Sequence, residues 1–267
     1  METKAIVQTE QKFKGTQEKK LASFSAPCKY IDDALALIKQ DHFLEWDLNT
    51  LPFSLNTKRM SYVRDFIKAH GEVRFHLPHG FWDLGVQDEN VTSDSYNYYC
   101  RLFRMIKFLE ASVVVIHVGA ASDSDEETAI AGITKLVDEA QKYNVKLCIE
   151  NLIHGLPSDM SFVKRCLQIE GLYFCLDIGH AECLRRKNGN QIYNDILSVK
   201  DKILHAHVYD VEDDTMNHIP FTNETLKTNL WLPLLDSAPC NWYTMELETQ
   251  NDQNHQKKLL KDYLCSR

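Results

Sequence analysis

The chain has 267 residues, 44% of them hydrophobic and 25% charged, with a formal net charge of -8. This is the size and balance of one large soluble α/β domain with a substantial core. The acidic surplus gives no electrostatic footprint for nucleic acid or an anionic membrane, and no apolar run approaches the roughly 18 residues that cross a bilayer. Eight cysteines are scattered without a CxxC pair, several inside apolar runs. That pattern fits reduced, buried thiols and a cytoplasmic protein.

Residues 1–18 are polar and read as a flexible extension, which leaves 19–267 as the folded domain. Leu21–Ala26 reads as a strand stopped by Pro27, and Tyr30–Gln40 as a helix with Ile31, Ala34, Leu35 and Ile38 on one face. His42–Leu48 is a second strand, with Glu45 and Asp47 on one side by alternation. Lys58–Ala69 is helical, and Glu72–Leu77 is a third strand ending in HLPHG. A loop over Phe81–Asp94 holds Trp82, Asp83 and Gly85 and leads to an aromatic helix, Tyr96–Leu109. Ala111–Val118 is the clearest strand. Helix Glu126–Tyr143, strand Lys146–Glu150 and helix Ser158–Ile169, with Ser158 as N-cap, follow. Leu172–Asp177 is a sixth strand running into Gly179 and His180. Helix Gln191–Val199, strand Ile203–Val208, helix Trp231–Asp236, strand Trp242–Leu247 and helix Asn254–Leu264 complete the chain. Eight strands alternating with helices predict a parallel sheet closed as a single (β/α)8 TIM barrel. An open doubly wound sheet is the competing fold, but its glycine-rich phosphate loop is absent.

The C-terminal strand ends, where barrel active sites lie, carry His76, His117, Glu150, Asp177, His207 and Glu246. Each has an ordinary reading. A single histidine at a strand end is commonly hydrogen-bonded structure, Glu150 pairs with a Lys or Arg, and Asp177 caps a helix. Together they are harder to explain without a cation, because buried like charges are costly. Mixed carboxylate and imidazole donors suit Zn, Mn or Co, with Mg where oxygen dominates. Glu246 and Glu248 share a face, and Glu246, nearer the apolar run, is the expected inward residue. His205, one layer below His207, reads as core, as do the inward-facing Cys148 and Cys175. Arg185-Arg186-Lys187 reads as a solvated helix end.

IENL at 149–152, LDIGHA at 176–181, HVYD at 207–210 and the terminal MELET resemble the xylose-isomerase-like TIM-barrel superfamily, with support from HLPHG and IHVG. The superfamily holds sugar and sugar-phosphate isomerases and epimerases, inosose dehydratases and zinc-dependent apurinic-site endonucleases. The resemblance implies a divalent metal on Glu150, Asp177, His207 and Glu246, with Glu150 and Glu246 also moving the proton in the epimerase branch. It implies substrate-binding or further metal-ligating roles for His76, His117, His180 and His218, as in the endonuclease branch. There an Asp precedes the last histidine by two residues. Here Met216 stands in its place, and the chain continues His218-Ile219-Pro220-Phe221 without the usual glycines, so a third metal site looks incomplete.

The expected function is a metal-dependent isomerase or epimerase of a small sugar, sugar phosphate or polyol. The alternatives are a zinc-dependent phosphodiesterase or apurinic-site endonuclease, a dehydratase acting on an inositol-like substrate, and a non-enzymatic ligand-binding barrel. The expected partner is a small-molecule substrate, with self-association left open.

Overall fold

The computed structural model describes residues 18–25, 31–50, 57–212 and 218–266. The expected N-terminal extension, apart from Glu18, lies outside these residues, as do Pro27 and Met216. Eight parallel strands close into a barrel: β1 Lys20–Ser25, β2 Phe43–Asp47, β3 Glu72–His76, β4 Val113–Ile116, β5 Lys146–Glu150, β6 Leu172–Asp177, β7 Ile203–His207 and β10 Trp242–Met245. β1 closes the ring by pairing with β10 at Lys20 and Trp242 and with β2 at Ser23 and Leu44. The helices are α1 Ile31–Asp41, α2 Thr57–His70, α3 Glu89–Phe108, α4 Glu126–Lys142, α5 Met160–Cys166, α6 Ile178–Asn188, α7 Gln191–Ser198, α8 Asn223–Thr228, α9 Trp231–Ser237 and α10 Gln250–Cys265. Among the described residues, none is long and apolar enough to cross a membrane.

Strand alternation divides the molecule into two interiors. Val114, Ile116, Leu147, Ile149, Phe174, Leu176 and Met245 point outward and join the large apolar core beneath the helices. Val113, Val115, Cys148 and Cys175 form a small separate cluster inside the barrel. Above it the lumen is polar, and Glu45, Glu150, Asp177, His205 and His207 are each no more than 1% exposed.

Several boundaries differ from the sequence expectation. Asp159, not Ser158, caps α5 by accepting from the Ser161 amide, and Ser158 closes a short 3-10 turn. α3 begins at Glu89, capped by Asp88, which shortens the loop after Phe81. α10 begins at Gln250 under a Thr249 cap, four residues ahead of the expected start. Unforeseen are α8 and a small antiparallel hairpin, β8 Val211–Glu212 with β9 His218–Ile219. The hairpin bears directly on the site.

Candidate metal centre

The site is built on the tips of β3 to β7 and β10. Glu150 and Asp177 end β5 and β6, His207 ends β7, and Glu246 follows β10. Asp177 and His207 are register partners, while Glu150 pairs with Cys175, two residues before Asp177. One donor atom from each of Glu150, Asp177, His207 and Glu246 falls within 4.8 Å of the other three. His207 Nδ1 lies 3.1 Å from Glu150 Oε1, 3.7 Å from Asp177 Oδ2 and 2.8 Å from Glu246 Oε2. Glu246, the glutamate nearer the apolar run, is the one that joins this group, and Glu248 is exposed.

Among the described residues, three further groups adjoin this tetrad, one of them Cys175, His205 and His207, which shares His207 with it. His76 Nε2 and His117 Nε2 reach the second oxygen of Glu150 at 3.2 and 3.0 Å, making Glu150 common to this trio and the tetrad. On the other side His180, Glu212 and His218 form a trio, with His180 Nε2 2.9 Å from Glu212 Oε2. The sequence reading missed Glu212. It sits in an acidic run that reads as solvated, but the β8–β9 hairpin folds it back beside His218, its register partner. Glu212 thus brings a carboxylate to His180 and His218, while position 216 lies outside the described residues.

The imidazoles are oriented as metal ligands require. His76 Nδ1 faces the Leu77 carbonyl at 2.9 Å, His180 Nδ1 the Asn151 carbonyl at 2.9 Å, and His218 Nδ1 the Glu246 carbonyl at 2.7 Å. A carbonyl only accepts, so each Nδ1 carries hydrogen, and the Nε2 atoms of His76 and His180 face Glu150 and Glu212. Backbone or carboxylate partners of this kind fix tautomer and ring orientation at metal sites. Two buried oxygens also lack a hydrogen bond, Glu246 Oε2 and Glu212 Oε2. They lie 2.8 Å from His207 Nδ1 and 2.9 Å from His180 Nε2. Carboxylate oxygens withheld from donors at the centre of a histidine cluster fit a divalent cation.

Electrostatics point the same way. Burial alone would raise Glu150, but His207 and His117 hold it well below the usual carboxylate range. Burial would also raise Glu246, yet His207 and His218 bring it to about 2. His76 is lifted to about 9 against its burial, chiefly by Glu150. His180 rises to about 10 against its burial through Asp177, Glu212 and Glu150. Carboxylates held ionised beside raised imidazoles make a cluster in which protons do the work of a cation.

The supporting residues were less visible in sequence. Asn151 crosslinks two tips: its amide donates to the Asp177 carbonyl at 2.9 Å and its oxygen accepts from the Asp177 amide at 3.0 Å. Asp177 does cap α6, accepting from the His180 amide at 2.7 Å, as its ordinary reading expects, and it does so while standing in the tetrad. Tyr209 donates to Asp177 Oδ2 at 3.1 Å and stacks on His218 with centroids 4.2 Å apart. Gly179 is required by this packing rather than by turning freedom, because a Cβ there would lie 2.0 Å from Tyr209 Cε2. Beneath the tetrad, Glu45 accepts from His207 and His205. His205 has both ring nitrogens engaged, by Glu45 and Arg74, and burial pushes it down to about 4. It is a supporting residue, as expected.

Around the mouth, Asp83 accepts from the amides of Gly85, Gly119 and Ala121 at 2.8, 2.7 and 3.0 Å, tying its loop to the end of β4. The loop carries Trp82, stacked on Tyr98 at 4.2 Å, and the fully displayed Phe81. Arg185 and Arg186 both pair with Glu182, consistent with a helix end and not a phosphate cradle.

Residues 38–264 match the family model described as xylose isomerase-like TIM barrel. The uncharacterized protein MJ0008 of Methanocaldococcus jannaschii is 26% identical over 219 residues, covering 79% of this chain and 91% of that protein. A D-tagatose 3-epimerase-like protein superposes with a TM-score of 0.74 at 18% identity, covering 92% of this chain and 97% of its own. Endonuclease IV from Thermus thermophilus gives 0.66 at 14% identity, covering 93% and 100%. The 3-keto-D-glucoside 4-epimerase of E. coli gives 0.67 at 11% identity, covering 94% and 100%. At these identities the solved structures share the fold with this chain.

Proposed function

The chain belongs to the xylose isomerase-like TIM barrel family, and from that premise we propose that it is a divalent-metal-dependent isomerase or epimerase of a small sugar, sugar phosphate or polyol. One observation carries the reading. Glu150 and Glu246 come from strands on either side of β6 and β7 and approach the same His207 nitrogen at 3.1 and 2.8 Å. Two carboxylates about one point suit proton transfer on two faces of one carbon. Glu150, Asp177, His207 and Glu246 would hold the ion. When bound, it polarises adjacent hydroxyl and carbonyl oxygens and stabilises charge developing on them. Both glutamates are kept in the base form by their imidazole neighbours. Each is thereby ready to take a proton at the carbon its face presents. His76 and His180 are placed to bind substrate oxygens, and Trp82 to cover the ring. The titratable rim and the acidic chain favour a small molecule over nucleic acid as partner.

The test is metal content of purified protein beside Asp177→Ala, followed by a sugar and polyol screen with Glu150→Gln. About one ion per chain, lost in D177A, with turnover abolished in E150Q, is expected. Intact turnover in E150Q refutes the proton-transfer assignment.

A second reading, phosphodiester hydrolysis, is favoured by the two flanking trios. These two trios beside the tetrad, one of them sharing Glu150 with it, are more than a single-ion proton transfer requires, and multi-ion clamps serve in-line displacement at phosphorus. Two or three zinc ions per chain together with nicking of an abasic duplex would establish it over the first.

A further inference from the structure

The barrel lumen beneath the tetrad contains a hydrogen-bonded chain that the reaction itself does not use. Glu45 on β2 is completely buried and 160 residues or more from its partners. Its Oε2 lies 2.7 Å from His205 Nε2 and 3.1 Å from His207 Nε2, and its Oε1 lies 3.2 Å from His207 Nε2. His205 Nδ1 lies 3.0 Å from Arg74 Nη1, which also donates to the Leu204 carbonyl at 3.0 Å. The Arg74 guanidinium rests on the Trp242 ring, 4.5 Å from its centroid. The Trp242 indole donates to Thr244 Oγ1, itself 3.1 Å from His205 Nε2.

We propose that Glu45 is a positioning residue that forces hydrogen onto His207 Nε2 and so dedicates Nδ1 to the ion of the tetrad, with Arg74 setting the direction of the chain through His205. The inference rests on reading the tetrad as an ion site, and its logic is that of donors and acceptors. A guanidinium only donates, so His205 Nδ1 must accept from Arg74. His205 must then carry its hydrogen on Nε2 and donate to Glu45. Glu45, a carboxylate, only accepts. His207 Nε2 must therefore donate too. Its other nitrogen faces Glu150, Asp177 and Glu246, is hydrogen-bonded to Glu150 Oε1 at 3.1 Å, and gives up its own hydrogen when an ion takes that place. A buried carboxylate acting through a histidine in this way fixes the ligand's tautomer and raises its basicity.

Glu45→Gln breaks the logic at one place. Arg74 still requires His205 to donate from Nε2, so the new amide oxygen serves His205. The amide NH2 then faces His207 Nε2, which has to accept. His207 is driven to the Nδ1–H form, and its ligand nitrogen is blocked. A single-atom change thus has a predicted direction, and a second change reverses it. In E45Q with Arg74→Met, His205 is free to place its hydrogen on Nδ1 and donate to the Leu204 carbonyl. The amide can then turn over and His207 recovers its Nε2 hydrogen.

The experiment is long-range 15N–1H NMR of the histidine rings in zinc-loaded and chelator-stripped protein, beside calorimetric zinc titration. Hydrogen on His207 Nε2 in the wild type, its loss in E45Q and its return in E45Q/R74M are expected. Zinc affinity should fall about 10- to 100-fold in E45Q, the range for lost ligand-orienting partners, with circular dichroism unchanged. A His207 ring alike in wild type and E45Q overturns the proposal. Should E45Q fail to fold, the wild type decides alone: a His207 Nε2 without hydrogen refutes it. A tautomer switch in stripped protein that takes up no zinc supports the positioning role and refutes the metal reading, so the two fail separately.

Discussion

Gly179→Ala tests how tightly the site is built. Gly179 lies in the first turn of α6, two residues beyond Asp177. An added Cβ would stand 2.0, 2.3 and 2.6 Å from Tyr209 Cε2, Cζ and Cδ2. The ring has little freedom to yield: it is fully buried, stacked on His218 and hydrogen-bonded to Asp177. Overpacking of this kind costs about 1–3 kcal/mol, and losing a hydrogen bond to a charged acceptor adds about 1.5–3 kcal/mol. G179A should therefore lose about 3–5 kcal/mol, or on the order of 10 °C in Tm for a domain of this size. Zinc affinity should fall with it, because Asp177 loses its Tyr209 partner. The assay is denaturant unfolding of G179A in the wild-type and Tyr209→Leu backgrounds. Leucine lacks the clashing ring atoms, so in that background the alanine should be neutral or stabilising, since alanine exceeds glycine in helix propensity by about 1 kcal/mol. An equal loss in both backgrounds would refute the argument that ring contact makes the glycine necessary.

Two further substitutions probe the donor set. Glu246→Gln should abolish or strongly weaken metal binding, while Glu248→Gln, at an exposed position, should leave both binding and stability within about 0.5 kcal/mol of wild type; elemental analysis and melting curves check the pair. Glu212→Gln should spare the ion of the tetrad and lower uptake only where the wild type binds more than one zinc; an ion lost from the tetrad in E212Q would mean that the trio and tetrad are not separate.

Much of this architecture was readable because it rests on local rules. Apolar strands ending in single polar residues located Glu150, Asp177 and His207, and nearness to the apolar run chose Glu246 over Glu248, which has the same parity. What escaped depends on contacts between distant segments. Glu45 had the right parity and unusual neighbours, Leu44 and Trp46, yet its role needs His205 and His207 on the far side of the barrel. Glu212 escaped because a two-residue hairpin leaves no periodic signal, and the acidic run around it suggested solvent. The need for glycine at 179 also escaped. Its backbone is ordinary helix, and the demand comes from Tyr209, thirty residues on.

The same cluster makes a prediction about pH, because its imidazoles hold protons where an ion would sit. In protein stripped by a chelator, His76 and His180 have values of about 9 and about 10 against 6.5 for an ordinary histidine. A raised histidine contributes stability that is complete below about 6.5 and is lost as pH climbs through its folded value. The depressed carboxylates have the opposite sign: Glu246, at about 2, contributes above its ordinary value of 4.5 and is lost in acid. Stripped protein should thus be most stable between about pH 5 and 7 and lose Tm progressively from pH 7 to 10. An ion replaces protons on the ligating nitrogens, so zinc-loaded protein should lack the alkaline decline and should release protons on binding. Titration in buffers of different ionisation enthalpy counts those protons, and apparent affinity should fall as pH is lowered from 9 to 6. A stripped protein with level Tm from pH 7 to 10, and zinc uptake without proton release, would show that the histidines stand neutral beside these carboxylates and that the balance of charge in the lumen is not the one derived from its geometry.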